Sequence, residues 1–318
     1  MTTAPEYAIE ISPVDISPYR TGNTGIEYAW TFDSGRPGPH VMVNAVIHGN
    51  ELCGAIAVDF LFRENVRPKA GKLSLVFCNV AAYLSFDKAR PGVSRYVDED
   101  MNRVWSPEVL DGPRNSVELA RARTLRPLVD TVDVLLDIHS MQHATAPLSL
   151  AGLTTQGLAL ARAIGVPELI VCDEGHRAGR RLRDYGDFGI EGHRRSAALV
   201  ECGQHWERSS ADVAMASTLR FLRLHDIVDD GFLARHLPAA APPPQRTVRV
   251  TEAVTIEGDR FAFVEPFIGL EVIEKAGTTI ATDGDRRIVT PYDRCILIMP
   301  SRRLSKGNTA VRLGRFID

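Results

Sequence analysis

Between residues 41 and 228 the chain alternates short apolar runs rich in β-branched residues with longer stretches whose apolar positions recur at helical spacing. That alternation constrains the fold more than any other feature. Strands and helices taken in turn along a chain assemble as a sheet with helices laid on both faces. VMVNAVI (41–47) reads as a strand and runs into ELCGAIAVDFLF, where Leu52, Ile56 and Phe60 recur every fourth residue. KLSLVFCNV (72–80) alternates Leu73, Leu75 and Phe77 as a strand does. Asn115 with Glu118 three positions later reads as a capping box opening a helix through ELARARTLRPLV. VDVLLDIHS (132–140), ELIVCDE and SAALVECG (196–203) read as further buried strands. GLALARAIG reads as a helix ended by Gly165, and Ser209-Ser210 read as the cap of a helix through Val228.

RHLPAAAPPPQR (235–246), with four prolines and three alanines, reads as a semi-rigid linker. Beyond it the pattern changes to short alternating strands between Gly, Asp and Pro turns: TVRVTEAVTI, RFAFVEPF, LEVIEKAGTTIA, RRIVTPY, CILIMPS and AVRLGRFI. The expected organisation is an α/β domain over 1–236 and a small all-β domain over 247–318. The formal net charge of −3 gives no basic field for nucleic acid or an anionic membrane surface. No apolar run approaches the ~20 residues of a membrane span. The stretch MTTAPEYAIE has neither the basic n-region nor the apolar core of a signal peptide. Five scattered cysteines without a CxxC pair fit reduced, buried thiols, and a cytoplasmic location is expected.

In VIHGNELCGA (46–55), His48 and Glu51 fall where a strand ends and a helix begins. A side chain at the carboxyl end of such a strand projects into the crevice where α/β sheets bind ligands. Imidazole and carboxylate are groups that zinc accepts, and a catalytic zinc takes three protein ligands plus a water. His139, at the end of the LLDIHSM strand, is the candidate for the third. The pair alone fits a capping or surface role equally well, and His139 is what tilts the reading toward a metal site.

Two more segments bear on this. SRYVDEDMNRVW (94–105) gathers Arg95, Asp100, Asn102 and Arg103 in one polar stretch, and ALVECGQHW (198–206) places Glu201 inside an apolar strand. A buried glutamate is costly without a partner or a task. A zinc hydrolase needs a carboxylate base near the reacting water, a cation near the developing oxyanion, and donors for any substrate carboxylate.

The set HGNE (48–51), RYVDEDMNR (95–103), DIHS (137–140) and VEC (200–202) resembles the succinylglutamate desuccinylase/aspartoacylase family, a branch of the zinc carboxypeptidase-like superfamily. The resemblance implies a mixed α/β sheet flanked by helices, with a C-terminal β domain that narrows the site. It implies that His48, Glu51 and His139 bind one zinc ion (Zn2+) per chain. It gives Glu201 the role of general base and Arg95 that of polarising the scissile carbonyl. Asn102 and Arg103 would bind a substrate carboxylate, and Asp100 would orient the His48 ring. A tyrosine from the β domain often closes the site in this family, and Tyr292, in VTPYDRC, is the candidate for it, set against the reading as an ordinary turn residue.

The side-chain receptor of aspartoacylase finds no single match here. Arg180, Arg181, Arg183, Tyr185, Arg194 and Arg195 are candidates, set against the reading of most of these arginines as solvated surface groups. Asp184, Asp187 and Glu191 are interleaved among them, so a cationic substrate side chain fits as well. His143 sits four residues after His139, but helical spacing does not apply to a strand. His176, His193 and His205 read as rim or surface residues. Ser140 lacks a nucleophile elbow, and Lys306 reads as a turn lysine rather than a carrier lysine.

The expected function is a zinc-dependent deacylase cleaving the amide bond of a small N-acylated amino acid. The alternatives are a peptidase on the same framework and a zinc- or ligand-binding protein without turnover. Neither nucleic acid nor membrane is an expected partner, and the oligomeric state stays open, a homo-oligomer included.

Overall fold

The structure, a computed structural model, describes residues 7–175, 178–239 and 241–317. Its frame is an eleven-stranded mixed sheet. Along the first part of the chain come β1 (Ala29–Asp33), β2 (His40–Ala45), α1 (Leu52–Arg63), β3 (Lys72–Phe77), α2 (Val80–Leu84) and α3 (Pro107–Leu110). There follow α4 (Val117–Val129), β4 (Val134–Met141), β5 (Leu148–Leu150), α5 (Thr155–Ile164) and β6 (Leu169–Cys172). The α/β half closes with β7 (Ser196–Gln204), α6 (Arg208–Leu224) and α7 (Asp230–His236).

Strands β3, β2, β4 and β7 run parallel, with Ala45 beside Ile138 and His139 beside Glu201. Alternation along each strand divides the core. Val41, Val43 and Ala45 face a cluster with Leu52, Val58 and Leu61 of α1 and Phe221 and Leu222 of α6. Met42 faces the other side, with Leu119, Ala122 and Leu125 of α4 and with Trp105 and Phe188. Both faces are covered, which is why these strands read as continuous apolar runs.

Two helix starts differ from the sequence reading. Ser116, not Asn115, caps α4, its hydroxyl accepting from the Leu119 N–H at 2.9 Å. Helix α6 begins after Glu207 with no side-chain cap, so Ser209 and Ser210 lie inside its first turn, and it ends at Leu224 rather than Val228. Gly165 ends α5 in the left-handed conformation as expected, at φ +78°.

The strands expected after the proline-rich segment are present. They are β8 (Arg246–Thr255), β9 (Phe261–Phe263), β10 (Val272–Ile273), β11 (Thr279–Asp283), β12 (Arg286–Val289), β13 (Cys295–Ile298) and β14 (Thr309–Phe316). They do not form a detached sheet. β8 pairs parallel with β6, from Leu169 beside Arg246 to Cys172 beside Arg249. The large sheet therefore continues through β8, β14, β13 and β10, and only β12, β11 and β9 make a separate antiparallel sheet. Val248, Ile296 and Ile298 share one apolar cluster with Leu148, Leu150, Leu169, Val171 and Leu199. Ala240, within the proline-rich connection, lies outside the described residues. The five cysteines are free and buried. Among the described residues no helix is long and apolar enough to cross a membrane.

A candidate active site at the carboxyl ends of the parallel strands

Chain geometry brings His48, Glu51 and His139 together. β2 ends at Ala45, and residues 46–51 turn over the sheet edge before α1 begins. Gly49 is required in that turn, because a Cβ there would lie 2.2 Å from the backbone carbon of Ala82. Glu51 occupies the N-cap position of α1 but makes no capping hydrogen bond. Its carboxylate turns to the two histidines instead: Oε1 lies 2.6 Å from His48 Nδ1 and Oε2 lies 2.9 Å from His139 Nδ1.

Each imidazole is fixed from behind by an aspartate. His48 Nε2 is 2.9 Å from Asp100 Oδ1, and His139 Nε2 is 3.0 Å from Asp137 Oδ2. Asp137 is held in turn by Asn44, whose Nδ2 donates to Oδ1 at 2.7 Å. Thus both rings present Nδ1 to one point and give Nε2 to a carboxylate, the arrangement that fixes tautomer and ring angle in metal-binding histidines. One ligand atom from each of the three residues lies within 4.8 Å of the others. Despite its 2.9 Å approach to His139, Glu51 Oε2 lacks hydrogen-bond geometry and has no hydrogen-bond partner. Glu51 bonds His48 through Oε1 and turns its unpartnered Oε2 toward His139 Nδ1, and a carboxylate converging in this way with two imidazole nitrogens fits a divalent cation.

The electrostatics agree. Burial pushes the Glu51 carboxyl up, but His48 and His139 outweigh it and hold it well below the ordinary range. Burial pushes His139 down, yet Asp137 and Glu51 hold it well above the ordinary imidazole value. Burial opposes ionisation of Asp100, and His48, Arg95 and Arg103 reverse that. The cluster calls for positive charge at its centre.

Glu201 stands on β7 beside His139. Its carboxyl is buried, and Oε2 has no hydrogen-bond partner. Burial, helped by Glu51 and opposed by His139, His48 and Arg95, pushes it up to about 7. Arg95 donates from Nη2 to Asp100 Oδ2 at 3.0 Å, and the same nitrogen lies 2.9 Å from His48 Nε2. Burial lowers the Arg95 pKa less than Asp100 and Glu51 raise it. Asn102 is buried, with Oδ1 accepting from the Leu182 N–H at 3.0 Å, and Arg103 donates to the Asn102 carbonyl at 2.7 Å. His48, Glu51, His139, Asp100, Glu201, Arg95, Asn102 and Arg103 line one cavity of about 440 Å³, whose far wall is built from Ile298–Arg303 and Arg312.

Tyr292 is not among the cavity residues. Its hydroxyl is 2.6 Å from Thr251 Oγ1 and its ring lies under the Arg315 guanidinium, so packing on β8 and β14 holds it elsewhere. The expectation of solvated arginines fails at three positions. Arg181, Arg183 and Arg195 are buried, and of the loop candidates only Arg181 reaches the cavity. Tyr185 bonds Asp130, and Arg194 pairs with Asp133 at the surface. His143 lines the cavity rim. His205 is not a surface group: it is buried, 2.8 Å from Ser140 Oγ, and burial pushes it down to about 3. His193 pairs loosely with Asp187, and His176 lies outside the described residues.

Two residues were missed. Asp137 had a signal, since it stands two before His139 on a strand and therefore on the same face. Glu118 had a misleading one. It is wholly buried and does not cap its helix. Its Oε1 accepts from Val97 N at 2.7 Å and Asn79 Nδ2 at 3.1 Å, and its Oε2 accepts from Asp98 N at 3.0 Å and Glu99 N at 3.2 Å. Asp98 answers by accepting from the Val117 N–H at 2.7 Å. The first turn of α4 thereby grips residues 97–99, which deliver Asp100 to His48. On the far side, Gly179 lets the following loop close on this segment, for a Cβ there would meet the Arg103 carbonyl oxygen at 2.1 Å.

A two-histidine, one-glutamate cluster beside a buried idle carboxylate, at the carboxyl ends of parallel strands, is the layout of a candidate metal-dependent hydrolytic site. The chain belongs to the succinylglutamate desuccinylase/aspartoacylase family, whose catalytic domain matches residues 37–222. It is a family of deacylases. Solved structures share the fold. Succinylglutamate desuccinylase from Vibrio cholerae is similar over 91% of this chain and 86% of that one, at 16% identity and a TM-score of 0.69. The enzyme of the same name from Vibrio parahaemolyticus covers 92% and 87%, at 16% identity and a TM-score of 0.66. A product-bound ectoine utilization protein from Ruegeria pomeroyi covers 87% and 85%, at 18% identity and a TM-score of 0.58. No curated protein matches the sequence significantly.

Proposed function

We propose that the protein is a zinc-dependent amidohydrolase that removes the acyl group from a small N-acylated amino acid. The observation that carries this is Glu201: a buried carboxylate with an oxygen lacking any hydrogen-bond partner, in the same cavity as the His48–Glu51–His139 cluster. His48, Glu51 and His139 would hold the zinc, which when bound lowers the pKa of water toward ~7 and polarises a carbonyl. Glu201 takes the proton of the attacking water at its free oxygen and later delivers it to the leaving amine. Arg95, anchored on Asp100, supplies charge to the oxyanion as it forms. Asn102 and Arg103 receive the substrate α-carboxylate, and Asp100 and Asp137 keep the two imidazole rings turned correctly.

The wall formed by 298–303 and Arg312 supports a small substrate over a peptide threaded through an open cleft. The idle carboxylate of Glu201 argues against a protein that merely stores metal, for which it would be a cost without use. A cytoplasmic location belongs to this reading, and the five free buried thiols are in keeping with it. The test is turnover of N-acetyl-, N-succinyl- and N-formyl-amino acids by the zinc-loaded protein and by the chelated protein. Release of free amino acid only with metal supports the reading, and equal rates with and without metal would overturn it.

A further inference from the structure

A second cavity shares no lining residue with the candidate active site. It measures about 400 Å³ and opens between α2 and the start of α4. Val80, Ala81 and Leu84 of α2 and Val117 of α4 give it an apolar wall. Arg121, one turn along α4 from Val117, lines it as well.

Arg121 is a cation held by carbonyls alone. Its Nε donates to the Cys78 carbonyl at 2.8 Å, and its Nη2 donates to those of Glu27 and Phe77 at 2.9 and 3.0 Å. Among the described residues no carboxylate pairs with it, and Nη1 has no hydrogen-bond partner. Glu27, whose carbonyl it takes, gives its carboxylate to Arg20 at 3.0 Å. Burial pulls the Arg121 pKa down more than Cys78, Glu27 and Tyr28 raise it, the direction of a charge short of compensation. Tyr28, next to Glu27 and also lining the cavity, is held at φ +60°, a left-handed conformation unfavourable for a bulky residue. Strain of this kind gathers at ligand sites. One uncompensated guanidinium in an apolar cavity of this size matches one carboxylate on an apolar body. The Glu27 carboxylate at the same cavity disfavours a second negative charge on the ligand.

The cavity also touches the scaffold of the metal site. Asn79 lines it and donates to Glu118 at 3.1 Å, and Glu118 holds the backbone of 97–99 that delivers Asp100 to His48. A ligand spanning α2 and α4 clamps together the two elements that make this grip. We infer that the cavity is an effector site for a small monocarboxylate with an apolar body, bound through Arg121, and that its occupancy tightens metal binding at His48, Glu51 and His139. Clamping orders in advance what the metal must otherwise order on binding. The coupling rests on the metal-site reading above; the carboxylate site does not.

The probe is benzoate, with benzamide as its neutral isostere. Saturation-transfer NMR on the full chain gives their affinities, and chelator competition gives zinc affinity with and without saturating benzoate. Wild type, Leu84→Glu and Arg121→Gln are compared, with melting temperatures alongside. Leu84 is 63% exposed, so a glutamate there spares the fold and sets a fixed carboxylate in the cavity wall. Wild type is expected to bind benzoate about tenfold tighter than benzamide. Benzoate is expected to raise its zinc affinity about fivefold or more. In both variants benzoate binding falls about tenfold and the gain in zinc affinity vanishes. Equal binding of benzoate and benzamide overturns the inference. So does unchanged benzoate affinity in Leu84→Glu, which assigns the benzoate to another site, the active-site cavity included. Benzoate binding that leaves zinc affinity unaltered overturns the effector role. Wild type that binds no zinc removes the proposed function and the coupling together, and the NMR comparison alone then decides the carboxylate site. Should Arg121→Gln fail to fold, with three carbonyls left without their donor, Leu84→Glu carries the test.

Discussion

Replacing Glu118 by glutamine tests how the site is held in place. The carboxylate accepts four hydrogen bonds, three of them from consecutive backbone N–H groups at 97–99. A glutamine keeps one acceptor oxygen and turns an NH2 toward the other two donors. If that NH2 replaces Oε1, Val97 N and Asn79 Nδ2 lose their acceptor. Asn79 cannot simply flip, because its Oδ1 accepts from Ala82 N at the start of α2. Two buried donors left unpaired, at about 1–3 kcal/mol each, cost about 2–6 kcal/mol, a large share of a typical folding free energy. At about 2.1 cal/mol/K per residue over 318 residues, this lowers the melting temperature by about 3–9 °C. The damage is directional. Residues 97–99 lead into Asp100, so the His48 ring loses its rear support and metal affinity falls by about 10–100-fold. Differential scanning fluorimetry and competition with a chromogenic chelator read the two effects. A Glu118→Gln protein that melts as the wild type does and holds metal as tightly would refute the reasoning.

Glu201→Gln should keep zinc content and lose about 10²–10⁴ in kcat, and a zinc-loaded variant with near wild-type kcat would exclude Glu201 as the base. In the metal-free protein the same change has a signed effect on stability. The native carboxyl holds its proton up to about pH 7, against 4.5 when unfolded, so the folded state binds more protons in that window. Stability then falls as pH rises from 4.5 through 7, and Glu201→Gln should remove that fall; urea midpoints with the same pH dependence in both proteins would contradict it. His139→Ala should abolish stoichiometric zinc, which elemental analysis of dialysed protein decides. Arg95→Ala should retain zinc and most of KM while losing roughly 10²–10³ in kcat; a raised KM with unchanged kcat would make it a binding residue instead.

What could be read from the sequence was what depends on local period. His48 and His139 announce themselves because each ends an apolar run, and β2 and β4 are neighbours in the sheet. Glu201 stands out as a carboxylate within such a run. Asp137 obeys the same two-residue period and was equally legible. Glu118 was not, because an Asn-x-x-Glu spacing at a helix start imitates a capping box while its real partners lie about twenty residues upstream. The buried arginines were hidden for a related reason. Arginine is usually exposed, and only the fold supplies the carbonyls of Val129 and Val132 to Arg195 or Asp173 to Arg181. The ladder between β6 and β8 joins residues separated by the whole of β7, α6 and α7, and no local pattern records which strand edge a later strand will find.

That ladder has a kinetic consequence. A cap hinged on a proline-rich connection could swing on microsecond-to-millisecond times and make lid opening the slow step of turnover. Here β8 is hydrogen-bonded to β6 along four residue pairs and β14 to β8, so the strand bearing Arg312 and the strands bearing His139 and Glu201 belong to one continuous sheet. For the deacylase proposed above, swinging of a hinged domain is then not expected to be the slow step of turnover.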